Sequence, residues 1–197
     1  FLFILTGILY LNGSAQSKSS SEIIHELQKL QFNGKVLYIA AHPDDENTRL
    51  IAWLTNDLKA DVAYLSLTRG DGGQNLIGKE IGEGLGLLRS HELLAARGID
   101  GGEQYFSRAI DFGYSKTPKE TYEFWNKEQV LSDMVKVIRT IQPDIIITRF
   151  SEVENPKRPT HGHHTASAQL AREAMVAAKD PNMFKHQLKS LSIWDVK

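Results

Sequence analysis

The stretch "KVLYIAAHPDDEN", residues 35–47, decides the reading of the fold. Its first seven residues are almost all apolar, which is typical of a strand buried on both faces of a sheet. The run then ends abruptly in a histidine, a proline and three acidic residues. Two interpretations are open for that polar cluster. It either places metal ligands at the end of a strand, or it is a turn whose acidic side chains favour the start of a helix.

The rest of the chain alternates strand-like and helix-like segments. "DVAYLSLT" and "DIIIT" are further apolar runs typical of strands, and segments with helical spacing separate them. We predict a short helix capped by Ser21 before the first strand, and one long helix over residues 118–142. Strands that alternate with helices indicate βαβ units, so the pattern predicts an α/β fold with a mostly parallel sheet covered on both sides.

Three polar loops follow predicted strands: "AHPDDE", "RGDGGQN" and "RFSEVENPKRPTHGHH". Ligands of open α/β sheets bind at the carboxyl ends of the strands. We therefore expect the three loops to gather at one edge of the sheet and to form the functional site there.

Two of these loops carry residues suited to metal binding. His42 and Asp45 lie three residues apart at a strand-to-helix turn, and His164 lies near the start of the last helix. Two imidazoles and one carboxylate are a usual set for catalytic zinc, and the same set suits Fe²⁺. Asp44 could then act as a general base, and a nearby histidine could polarise a carbonyl or protonate a leaving amine.

The glycine-rich loop "TRGDGGQN" lacks the spacing of a nucleotide-binding loop. It predicts either a tight turn with positive φ at Gly72 or Gly73, or a loop that contacts a polar ligand. The side chains available for that contact are Arg69, Asp71, Gln74 and Asn75. Arg89 forms an i,i+3 pair with a glutamate on a helix, which is ordinary on a surface.

Composition excludes several classes of function. The chain has 197 residues, a formal net charge of −1 and no cysteine. We expect no nucleic-acid partner, because no strong positive charge is present, and no disulfide or cysteine nucleophile. The sequence indicates neither a stable membrane insertion nor an oligomeric state.

The first residues predict export to the periplasm or the extracellular space. "FLFILTGILYL" is too short to span a bilayer and has the length of a signal-peptide core, with Gly13 and Ala15 at the −3 and −1 positions of a cleavage site. N-terminal sequencing of the mature protein should therefore begin near Gln16. A mature protein that keeps "FLFIL" would contradict the prediction.

"AHPDDE" at 41–46, together with "HGHH" at 161–164, closely resembles the PIG-L/LmbE-like N-acetylglucosaminide deacetylases. The similarity runs from about Lys35 to Ala178. It implies a Rossmann-like three-layer fold and a zinc hydrolase that removes acetyl groups from N-acetylated amino sugars or glycoconjugates through a metal-activated water.

The resemblance also implies roles for individual residues. His42, Asp45 and His164 match the metal ligands, Asp44 matches the general base, and His161 matches the residue that stabilises the oxyanion or acts as an acid. One departure concerns the later motif, which often has Pro-Asp between its histidines where this chain has Gly162 and His163. His163 is therefore an alternative ligand.

Two further segments, "LTRGDGG" and "LLRSHELLAA", also resemble the family. They make Arg69, Arg89 and Glu92 candidates for contacting the substrate or for supporting the residues that do. Asp71, from the glycine-rich loop, is a further candidate for substrate binding. The segment "EQYFSRAIDFGYSKT", residues 103–117, is typical of a strand followed by a loop, and its Asp111 is a candidate for binding ligand hydroxyls.

The predicted domain organisation has three parts. We expect a signal peptide over 1–15 whose start lies upstream, a linker and short helix over 16–34, and a deacetylase domain over 35–197 that continues beyond the last residue. The expected partner is a small-molecule or glycan substrate. The alternatives are a metal-dependent amidase for a non-sugar amide and a non-catalytic carbohydrate-binding protein.

Overall fold

The computed structural model describes residues 18–155, 157 and 159–197. The strands are β1 Lys35–Ala40, β2 Asp61–Ser66, β3 Glu103–Phe106 and β4 Ile145–Thr148. The helices are α1 Ser20–Lys29, α2 Thr48–Asn56, α3 Glu83–Asp100, α4 Pro118–Phe124, α5 Lys127–Ile141 and α6 Gly162–Lys179, followed by a 3₁₀ helix, Lys185–Lys189. The predicted signal peptide lies outside the described residues, so export stays a prediction.

The four strands form one parallel sheet in the order β3-β2-β1-β4. This confirms the predicted α/β, Rossmann-like three-layer fold. The chain leaves β1 for β2 on one side, and β4 returns to pair with β1 on the other side. The strand order therefore reverses between β1 and β4, which is where open α/β sheets form their binding crevice.

The apolar run in β1 supplies both faces of the sheet. Leu37 and Ile39 lie in the core packed by α5 and α6. Val36, Tyr38 and Ala40 lie in the core packed by α2 and α3. Successive side chains of β1 point to opposite faces of the sheet, and both faces are buried. This explains why the sequence of β1 is continuously apolar instead of alternating between apolar and polar residues.

Two details of the predicted helices are wrong. The N-cap of α1 is Ser19, whose hydroxyl and backbone N–H form a capping box with Glu22. The long helix predicted over 118–142 is two helices. The first, α4, ends at Phe124, the backbone is extended at Trp125, and α5 begins after its N-cap, Asn126. Trp125 is held there by a hydrogen bond of 2.9 Å from its indole N–H to the carbonyl of Ile110.

Helix α6, which carries the "HGHH" motif, is anchored at both ends. Near its C-terminus the buried Arg139 guanidinium donates hydrogen bonds to the carbonyl oxygens of Ala177 and Ala178. At its first residue, Gly162 donates its backbone N–H to the carbonyl of Ser115 at 2.8 Å. A β-carbon on Gly162 would lie 2.4 Å from the carbonyl oxygen of Thr117, so the close approach requires glycine.

Among the described residues, no helix combines the length and the apolar character needed to cross a membrane.

Candidate metal centre

The turn after β1 holds His42 in a defined position. The backbone N–H of His42 donates to Oδ2 of Asp45 at 2.8 Å, and the Tyr64 hydroxyl donates to the carbonyl oxygen of His42. Tyr64 is fully buried in the core of the sheet. The position of the His42 backbone is therefore set by the sheet as well as by its own loop.

Three side chains, here called the Asp45 group, meet beside this turn: His42 and Asp45 from the turn itself, and His164 from the first turn of α6. Oδ2 of Asp45 lies 3.1 Å from Nδ1 of His42, and Oδ1 of Asp45 lies 3.5 Å from Nε2 of His164. One donor atom from each of the three residues lies within 4.8 Å of the others. The ring of His164 stacks on Phe150 with centroids 3.8 Å apart, which fixes its orientation.

The electrostatics of the Asp45 group suit a divalent metal. Burial lowers the pKa of His164 to about 4, so its imidazole is neutral at pH 7. Burial alone would raise the pKa of Asp45, but hydrogen bonds from His42 and the nearby imidazoles outweigh it, and the net pKa lies below the ordinary value. Neutral imidazoles and an ionised carboxylate are the protonation states that metal binding requires. The donor set therefore fits zinc or Fe²⁺.

His42 also belongs to a second group, with His161 and His163, whose donor atoms likewise lie within 4.8 Å. Nε2 of His42 lies 2.9 Å from Nδ1 of His163. His163 is fully buried and contributes nothing to the open cleft that the Asp45 group borders. A catalytic metal needs a position open to substrate. The Asp45 group meets that requirement better than the group containing His163.

His161 is the N-cap of α6. Its Nδ1 accepts a hydrogen bond of 3.1 Å from the backbone N–H of His163. Burial and the neighbouring His42 lower the pKa of His161, which keeps its ring neutral at pH 7. A neutral ring that accepts at Nδ1 carries its proton on Nε2. His161 can therefore donate one hydrogen bond from Nε2.

Asp44 lies outside the Asp45 group. Its carboxylate is 3.3 Å from the Arg89 guanidinium, its side chain is 67% exposed, and it lines the cleft. The side chain that caps α2 is Asn47, which accepts from the backbone N–H of Leu50 at 3.1 Å. Neither Asp44 nor Asp45 is therefore the N-cap of α2.

The cleft has a volume of about 650 Å³ and is open to solvent. The predicted site residues that line it are His42, Asp44, Asp45, Gln74, Arg89, Asp111, His161 and His164. Asp111 is almost fully buried, and its carboxylate accepts from the backbone N–H of Gly113 at 2.9 Å. Asp111 is therefore held rigidly at the wall of the cleft.

Two predicted substrate-binding residues, Arg69 and Asp71, do not line the cleft. The Arg69 guanidinium lies 4.2 Å from the centre of the Phe106 ring and donates to the Ser90 hydroxyl at 3.0 Å. The predicted turn in this loop is wrong in one respect: the glycine with positive φ is Gly70, and neither Gly72 nor Gly73 has positive φ.

Gly72 serves a different purpose. A β-carbon on Gly72 would lie 2.3 Å from the backbone nitrogen of Gly113 and 2.5 Å from the carbonyl oxygen of Asp111. The loops after β2 and β3 therefore approach through their backbones. This contact also places Tyr114 on the cleft at 67% exposure. Sequence reasoning missed Tyr114, because no local pattern separates it from other aromatic residues in loops.

Solved structures share this fold. One is the N,N′-diacetylchitobiose deacetylase of Pyrococcus horikoshii in complex with its inhibitor, which is 22% identical in sequence and superimposes with a TM-score of 0.65. The match covers 92% of this chain and 68% of the deacetylase. The 4-carboxy-2-hydroxymuconate hydratase GalB of Pseudomonas putida KT2440 is 20% identical with a TM-score of 0.58, covering 76% and 58%. A conserved protein of Thermus thermophilus is 19% identical with a TM-score of 0.51, again covering 76% and 58%.

This chain thus spans 58–68% of the length of those structures. A hydratase and a deacetylase on one fold show that the fold alone does not set the reaction. None of the curated proteins compared with the chain matches it.

A family model, described as GlcNAc-PI de-N-acetylase, matches residues 37–175. The match includes both the "HPDD" and the "HGHH" motifs, and it confirms the resemblance that those motifs indicate. The chain belongs to the PIG-L family.

Proposed function

We propose that this chain is a metal-dependent N-deacetylase that removes an acetyl group from an amino sugar or glycoconjugate. The observation that carries the proposal is the convergence of His42, Asp45 and His164 beside an open cleft that also holds Asp44 and His161. Membership of the PIG-L family supports the same reaction class.

The metal would be held by His42, Asp45 and His164. When bound, a divalent ion of this kind polarises a carbonyl oxygen and lowers the pKa of water at the site. Zinc is the proposed ion, and Fe²⁺ is the alternative that this ligand set also accepts.

Asp44 is the proposed general base. Its carboxylate lines the cleft next to the metal ligands without belonging to them, and the 3.3 Å contact with Arg89 restrains it. Asp44 would take a proton from a water molecule while the water oxygen attacks the acetamide carbonyl carbon.

His161 is the proposed oxyanion donor. Its ring is neutral with the proton on Nε2, so it can donate to the oxygen that gains charge when the carbonyl becomes tetrahedral. Collapse of that intermediate breaks the C–N bond and releases acetate. The proton returns to the amine nitrogen from Asp44 or from His161.

The amino-sugar substrate is supported by two observations. The family description names a GlcNAc conjugate, and the Pyrococcus horikoshii neighbour is an N,N′-diacetylchitobiose deacetylase. Asp111 and Arg89 offer an acceptor and a donor at the cleft wall, and sugar hydroxyls can use both.

Acetate release from a panel of substrates tests the proposal. The panel contains N-acetylated sugars and, as the amidase arm, N-acyl amino acids. We expect sugars to be hydrolysed and amino-acid derivatives to be left intact. Preference for the amino-acid derivatives would establish the non-sugar amidase instead.

Metal removal is the second test. We expect about one tightly held divalent ion per chain, because the Asp45 group supplies three ligands. Chelation should abolish acetate release, and added Zn²⁺ or Fe²⁺ should restore it. Full turnover in protein shown by elemental analysis to be free of metal would refute the metal-dependent mechanism, whereas binding of sugar without turnover would favour a carbohydrate-binding protein.

A further inference from the structure

His163 has no role in the proposed reaction, yet it is the most enclosed histidine near the site. It is 0% exposed. Its ring stacks on Trp125, with centroids 4.9 Å apart, and lies edge-on to Phe112 at 4.5 Å. Its one side-chain hydrogen bond among the described residues joins Nδ1 to Nε2 of His42 at 2.9 Å.

The two ring nitrogens of His42 face different partners. Nδ1 lies 3.1 Å from the Asp45 carboxylate, which is the direction of the ligand group, and Nε2 lies 2.9 Å from Nδ1 of His163. A histidine that binds a metal does so through a bare ring nitrogen and donates the proton on its other nitrogen to a fixed acceptor. In this arrangement Nδ1 is the nitrogen toward the metal, and Nε2–H is the donor toward His163.

We propose that His163 is a positioning residue that fixes the ring orientation and the tautomer of His42. By accepting the Nε2–H of His42, Nδ1 of His163 keeps Nδ1 of His42 free of a proton and aimed at the position shared with Asp45 and His164. The proton of His163 then lies on its own Nε2, which is buried and has no hydrogen-bond partner among the described residues. This inference rests on the proposed function, because it concerns a ligand of the proposed metal.

The surroundings explain why a neutral ring suits this position. Acceptors behind a metal-binding histidine are most often a carboxylate, a backbone carbonyl or water. Here the acceptor lies between the rings of Trp125 and Phe112 with no exposure to solvent. The buried Asp111 carboxylate lies 3.9 Å from Nδ1 of His163, so a second carboxylate in this place would face it without access to solvent. An imidazole accepts the hydrogen bond without that repulsion and packs against both rings.

Two substitutions separate this role from a merely structural one. His163→Asn keeps an acceptor oxygen close to the place of Nδ1, and His163→Leu keeps much of the volume but removes the acceptor. His91→Leu is the matched control, since His91 is exposed on α3 and does not line the cleft. Far-UV circular dichroism and thermal melting establish that each variant is folded.

The measurement is the zinc dissociation constant of the metal-free protein, obtained by competition with a chromophoric chelator. We expect His163→Leu to weaken zinc binding by about 10- to 100-fold, the usual loss for a partner behind a ligand. His163→Asn should recover most of that loss, and His91→Leu should bind like the wild type. Unchanged affinity in folded His163→Leu overturns the proposal. Equal loss in both His163 variants also overturns it, because His163 would then act as a ligand.

A spectroscopic readout on the wild type needs no variant. In ¹⁵N spectra of zinc-loaded protein with labelled histidine, Nε2 of His42 should carry a proton and Nδ1 should not. The reverse pattern overturns the proposal while leaving the metal-dependent function intact. A wild type that binds no zinc would overturn the proposed function itself, so the two failures are distinguishable.

Discussion

Asp44→Asn is expected to lower kcat by about 10²- to 10⁴-fold, the usual cost of losing a general base, while the metal stays bound. Asparagine has nearly the same shape but cannot take a proton. Asp44 lies outside the Asp45 group and faces the cleft, so its replacement leaves the proposed ligands in place. The measurements are steady-state deacetylation and the metal content of the purified variant.

Glu92→Gln is the matched control for Asp44→Asn. Glu92 is the other carboxylate near Arg89, at 3.8 Å, and its side chain is as exposed as that of Asp44. It does not line the cleft, so we expect kcat within about twofold of the wild type, as for most surface changes. If Asp44→Asn instead loses the metal, the roles of Asp44 and Asp45 are exchanged.

His164→Ala should remove both metal and activity. The variant leaves only His42 and Asp45 in the Asp45 group, and two protein ligands hold zinc poorly. Its zinc affinity should fall by more than the roughly 10- to 100-fold that a partner behind a ligand costs. Elemental analysis after dialysis and a chelator competition give the metal content and the dissociation constant.

His161→Ala is the companion variant, because it changes the same helix terminus without removing a member of the Asp45 group. It should keep the metal and lower kcat more than it raises KM, since an oxyanion donor acts mainly in the transition state. A folded His164→Ala that keeps full zinc affinity, together with a His161→Ala that loses it, would move the metal to the group containing His163.

Much of the fold was predictable from local pattern. The apolar runs that became β1 and β2 were recognisable because central parallel strands are buried on both faces, which leaves little room for polar residues. The run that became β4 was recognisable from its three consecutive isoleucines, although β4 lies at the edge of the sheet and is only partly buried. The break between α4 and α5 was not predictable in this way. It depends on the hydrogen bond from Trp125 to the carbonyl of Ile110, 15 residues earlier, which no helical period can reveal.

The sequence by itself determined which loops meet. "HPDD" and "HGHH" each follow a strand of a parallel sheet, and the carboxyl ends of such strands share one edge, so their residues were bound to gather there. The types of residue in the two loops also limited the chemistry to oxygen and imidazole ligands.

Only the tertiary structure decided which way each side chain points. Asp44 turns toward Arg89 and Asp45 toward His42, although the two are neighbours in the chain. The Arg69 guanidinium packs on the Phe106 ring, and the His163 ring is buried in contact with the ring of His42. These directions depend on contacts between residues far apart in sequence, because a loop side chain takes the orientation that satisfies its charge and fills the available space.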